Sequence, residues 1–128
     1  MHYDLSVFRG PAEGLRDDRR LSRLDLDATR EILLAAEMEV DGDELIWARD
    51  ALVAQFLLST DGDGRLLAIE GGVVTEDAPR ELRAREFRAL LAVLQKAARE
   101  LDARLYDHQL GRFLVGDHDF EAAVAGFA

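Results

Sequence analysis

The chain has no cysteine, only two prolines and a single lysine among its 128 residues. Without thiols, disulfide bridges, thiolate nucleophiles and thiolate metal sites are all excluded, and the composition fits a reducing, cytoplasmic compartment. Long hydrophobic runs are missing as well. The longest apolar stretch lies within Ala89–Leu94, far short of the roughly 20 residues that span a bilayer. The opening Met1–Ser6 has neither the basic region nor the apolar region of a signal peptide. Positive charge is scarce too: 26 acidic residues face 16 basic ones, a net charge of −10. Such a surface repels phosphate backbones and anionic lipid. Neither nucleic acid nor membrane is therefore an expected partner, whereas a basic protein is. Of the basic residues only Lys96 is not arginine, a bias that GC-rich codons or salt adaptation would each produce.

Catalytic signatures are equally sparse. There is no GxGxxG, no phosphate loop and no Gly-x-Ser-x-Gly. Ser6, Ser22 and Ser59 suggest no Ser–His pair by position, and no cofactor is called for.

The apolar content of 48% in 128 residues suffices for one core, so residues 1–128 are read as a single domain. Residues 3–8 alternate apolar and polar side chains and predict a strand ending at Gly10-Pro11. Residues 12–25 are charged and aperiodic, an exposed connection. Asp27 is read as the cap of a helix running to about Val40 and stopped by Asp41-Gly42-Asp43. The stretch 44–58 fits helix or strand; the hairpin signal downstream favours two strands, Glu44–Arg49 and Leu52–Thr60. Asp61-Gly62-Asp63-Gly64 supplies the turn of that hairpin. Its outgoing strand runs to Val74, with a bulge expected at Gly71-Gly72.

Asp77 and Pro79 open the clearest element, a helix expected to reach about Arg104 and to span about 39 Å. Phe87, Leu90, Leu91, Leu94, Ala98, Leu101 and Leu105 recur on one face of it. Two short strands, near 105–107 and 112–115, and a helix capped by Asp117 complete the chain. The expected fold class is α+β: an antiparallel sheet with helices on one face. The arrangement is a ferredoxin-like split β-α-β with an extra strand and a short C-terminal helix.

Few residues carry chemistry. His108 and His118 lie near Asp107, Asp117 and Asp119, a donor set for zinc, manganese or iron, although Asp107 and Asp117 also suit a turn and a cap. Asp61-Gly62-Asp63-Gly64 opens like a calcium loop but has Gly72 at the twelfth position, where that loop needs glutamate. Glu70 and Glu76 form a carboxylate pair only by arbitrary choice. Trp47, Tyr106 and Phe113 are partner anchors if exposed and core if buried.

Two stretches, Tyr-Asp-Leu-Ser-Val-Phe (3–8) and Leu-Tyr-Asp-His-Gln-Leu-Gly (105–111), resemble segments of small uncharacterised bacterial proteins of immunity-protein type. Those often have proline where this chain has His108. The resemblance implies a toxin-blocking, protein-binding role, and it assigns no residue. The leading expectation is thus a small acidic protein-binding module, an immunity-type inhibitor or regulator of a basic partner. The alternatives are a ligand-binding protein or enzyme with a pocket near His108 and His118, and a self-associating homodimer. The candidate binding residues are Tyr106, Asp107, His108 and His118.

Overall fold

Alternation of side chains builds most of this molecule. The computed structural model describes residues 2–128. They form seven strands, three α-helices and two short 3-10 turns. The strands are β1 (His2–Phe8), β2 (Glu39–Asp41), β3 (Glu44–Ala48), β4 (Leu52–Thr60), β5 (Leu66–Thr75), β6 (Arg104–Asp107) and β7 (Arg112–Phe113). The helices are α1 (Leu26–Ala35), α2 (Arg80–Glu100) and α3 (Asp117–Phe127). All seven strands join one antiparallel sheet in the order β2-β3-β4-β5-β1-β6-β7.

The strand period of two sorts the side chains onto two faces. On the inner face, Tyr3, Leu5 and Val7 of β1 meet Val73, Gly71 and Ile69 of β5, which in turn face Ala54, Phe56 and Leu58 of β4. All of these except the half-buried Gly71 are buried, as are Leu45 and Trp47 of β3. Helix α2 lies against this face, flanked by α1 and α3. An aromatic trio joins the layers: Phe87 of α2 stacks on Phe127 of α3 at 4.1 Å between centroids, and Tyr3 meets both rings edge-on.

The stretch 44–58 is two strands, as its downstream hairpin implies. Several boundaries differ from expectation. Helix α1 is capped by Asp25, not Asp27: the Asp25 carboxylate accepts from the Ala28 N–H at 2.9 Å. Asp25→Ala should cost about 1 kcal/mol in urea denaturation, the usual worth of such a cap. The helix ends by Ala36 because Glu37 takes a positive φ of 66°, and the chain reverses into β2. Val40, assigned by helical spacing to α1, is instead in β2, a strand the sequence did not disclose. Asp41-Gly42-Asp43 turns that strand into β3 rather than merely stopping a helix.

Helix α2 covers 21 residues, about 32 Å at 1.5 Å per residue. Pro79 itself holds its N-cap position, and Leu105, placed on its apolar stripe by spacing, is in β6. The carbonyls just past its end are met by Arg9, whose guanidinium donates to Leu101 O and Asp102 O and, at 3.2 Å, to Arg23 O. Gly71 and Gly72 stay in register with β4 and β1; the irregularity falls at Ser59/Thr60. The cap of α3 is Gly116, with Asp119 reaching back to the Val115 and Gly116 N–H groups. The 12–25 connection is not simply exposed. Leu24 is in the core and donates its N–H to Leu66 O at 2.9 Å.

Candidate functional site

Residues 3–8 and 105–111 interlock in space. Strand β6 pairs with β1 from Leu5↔Asp107 to Phe8↔Arg104. Beyond that ladder the side chains continue the pairing. The Gln109 amide donates to Asp4 O at 3.0 Å and accepts from the Asp4 N–H, imitating one more strand residue. Asp107 is fully buried. It accepts from the Gln109 and Leu110 N–H groups, each at 2.9 Å, and from the Tyr3 hydroxyl. Both its oxygens are therefore committed to holding the turn and the tyrosine. Burial first, then the hydrogen bond to Asp107 and its negative charge, push the Tyr3 phenol well above its ordinary value.

His108 accompanies this turn on the other side of the sheet. Its Nε2 stands 2.8 Å from Ser6 Oγ, a Ser–His pair that sequence position did not suggest. Ser6 is only 2% exposed, in the middle of β1. Among the described residues no carboxylate is bonded to the imidazole, so the pair lacks the third group that orients a catalytic base. Tyr106, half-buried, forms an aromatic cluster with Phe8, Phe113 and the His108 ring. Arg104 covers Phe113 at 3.8 Å. Tyr106 and His108 line a cleft of about 400 Å³ with Ala12, Glu13, Leu15 and Arg16.

His118 is elsewhere. It sits exposed in the first turn of α3 and does not line that cleft. Its neighbour Asp119 is held below the usual carboxylate range by the Val115 and Gly116 N–H groups and, less strongly, by Arg112. Among the described residues, no group of three His, Asp or Glu side chains gathers to hold a metal ion. Glu70 lies mid-strand and Glu76 beyond the end of β5, so six residues of extended chain, about 20 Å, separate them. Trp47 is core. The Asp61 carboxylate accepts from the Asp63 and Arg65 N–H groups and closes the β4–β5 turn.

The surface that sequence reasoning missed is the outer face of the sheet, away from the helices. Strands β1–β5 contain no lysine or arginine, while their acidic residues are Asp4, Glu39, Asp41, Glu44 and Glu70. Strand register puts all five on this outer face. Ser6↔Glu70↔Leu57↔Glu44↔Asp41 form one row across the sheet, and Asp4↔Gly72↔Gln55↔Ile46↔Glu39 the next. A third row holds His2, Val74, Val53 and Ala48. Leu57 is 56% and Val74 43% exposed. Asp41 and Glu44 stand directly opposite each other, a like-charge pair that disfavours the hairpin. Toward the far end of β1 the face closes over: Ser6 and Phe8 are buried. Basic residues concentrate on α2, which carries Arg80, Arg83, Arg85, Arg88, Lys96 and Arg99. The missing cations in five consecutive strands were the available signal, but their meaning depends on strand parity.

Neither the search of protein-family models nor the search of curated proteins returned a match to this chain. Among the described residues, no helix is long and apolar enough to cross a membrane.

Proposed function

We propose that this chain is a small protein-binding module that takes a basic partner protein on the outer face of its sheet, in the manner of an immunity-type inhibitor or regulator. One observation carries the reading: every carboxylate of β1–β5 projects from this open face, among exposed Leu57 and Val74, and those five strands contain no lysine or arginine. An apolar patch inside an acidic field suits a basic surface, which gains contact area and rapid, steered association. The Asp41/Glu44 opposition costs the isolated fold something and would be relieved by a cation from the partner. Self-association through this face is disfavoured, because two copies would bring their carboxylates together. The short resemblance to immunity-type proteins and the absence of cysteine agree with a cytoplasmic binding role. The platform, in this reading, is a split β-α-β core of ferredoxin-like order, β4-β5-β1-β6, extended by β2 and β3 on one edge and β7 on the other.

The test is a tagged pull-down from the native host at low and high salt, with mass spectrometry of the eluate. The expected result is one stoichiometric basic protein, lost at high salt. The double variant Glu44→Lys/Glu70→Lys should lose it even at low salt while keeping the native circular dichroism spectrum. A partner retained by that variant, or no basic partner at either salt, would overturn the reading.

A further inference from the structure

The side-chain layer of the outer face has a gap. Gly72 occupies an outward position between Asp4 on β1 and Gln55 on β4, where any other residue would project. The gap opens a hollow of about 420 Å³, walled by Leu57, Gln55 and Glu70. Glu44 also reaches it and accepts from the Gln55 amide. Part of the hollow is occupied by the chain itself. A Cβ built on Gly72 would lie 2.4 Å from His2 Nε2 and 3.0 Å from Asp4 Oδ1. The imidazole therefore folds over the glycine backbone, with its Nε2 3.3 Å from the Asp4 carboxylate. The His2 side chain stays 64% exposed, so it is a loose cover rather than a packed one.

The hollow thus receives a flat, nitrogen-bearing ring over bare backbone, beside carboxylates and one apolar wall. Resting on the reading of this face as a docking surface, we propose that the Gly72 hollow receives an arginine side chain of the basic partner, displacing the His2 ring from Asp4. Guanidinium has the required shape. It is planar, so it can lie where the imidazole lies, and its fork can address Asp4 and Glu70 together. Its weak hydration allows contact with Leu57. A lysine ammonium is a compact, strongly hydrated point charge and gains nothing from a flat floor. Arginine is also a common anchor at the desolvated centre of protein interfaces.

The experiment is an NMR titration of the full chain with N-acetyl-arginine amide, with N-acetyl-lysine amide as the comparison. Saturable amide shifts are expected at Gly71, Gly72 and Leu57, several-fold tighter for the arginine compound. His2→Ala, which removes the internal occupant, should tighten binding. Gly72→Val fills the hollow without changing the charge of the face and suits a strand, so it should abolish the localised shifts in a spectrum that remains folded. Shifts scattered over all surface carboxylates, equal response to the two compounds, or undiminished shifts in Gly72→Val would each overturn the proposal. The docking reading fails separately. If the pull-down partner survives Gly72→Val yet is lost in Glu44→Lys/Glu70→Lys, the arginine site falls and the docking face stands.

Discussion

Asp107→Ala is expected to destabilise the protein by about 3 kcal/mol, because it strips the buried Tyr3 hydroxyl and two part-buried turn N–H groups of their acceptor at once. The Gln109 and Leu110 N–H groups and the Tyr3 hydroxyl all end on this carboxylate, and Tyr3 is only 2% exposed. Orphaning each donor costs about 1–3 kcal/mol, less what water entry recovers. Asp107→Asn keeps a carbonyl oxygen for the turn and turns an N–H toward the tyrosine oxygen, so about half that loss is expected. Urea denaturation of the three proteins measures both, and an Asp107→Ala midpoint equal to wild type would refute the account. Base should expose the same site. The Tyr3 phenol is held protonated in the folded state above its ordinary pKa of 10.0. Below that value both states keep the proton and pH has no effect through this group. Above it the unfolded chain sheds the proton while the folded one holds it, so stability declines as pH rises. Tyr3→Phe should flatten that decline.

Gly71→Ala is expected to cost about 3 kcal/mol or more, although it adds one methyl group. The new Cβ would stand 2.1 Å from Gln55 O and 2.6 Å from Phe56 Cα. Both are backbone atoms of β4, so no rotamer change relieves the clash and the β4–β5 pair must part at the centre of the core. At the neighbouring position the nearest atoms belong to His2 and Asp4 side chains that can swing into solvent. Gly72→Ala should therefore melt close to the wild type, and Gly71→Ala well below it. Thermal denaturation of the pair decides this, and equal melting temperatures would show that the sheet yields where it is held to be tight.

What could be read in advance was whatever local period controls. Strand β1 alternates apolar and polar residues in sequence, and the Asp-Gly turn marks the hairpin of β4 and β5. The stripe of α2 repeats over 21 residues, long enough to outweigh any single residue. Strand β2 was not readable: it has three residues, follows a helix, and carries Val40 where a helical stripe would continue. Asp25 and Asp27 are both suitable caps; the helix takes the first, with Leu26 packed against the core. Paired glycines in a strand often mark a bulge, yet at Gly71-Gly72 the first glycine allows close strand approach and the second opens the outer layer. The site followed the same rule. Clustered polar residues drew notice to 106–108, but the partner of Asp107 lies 104 residues away and no local pattern reveals it. The acidic face required knowing which residues of five strands point the same way.

The place of β1 also sets an order of assembly. Residues 2–8 leave the ribosome before every other strand, yet they pair with β5 on one side and β6 on the other, in the interior of the sheet. A nascent chain can close the meander β2-β3-β4-β5 from neighbouring segments, but β1 gains its second edge only after residues 104–107 emerge. Until then Leu5 and Val7 stay half-paired, and the core they share with Phe87 and Leu105 is open. The first of these strands to be made is among the last to be locked, which ties completion of the sheet to the emergence of β6.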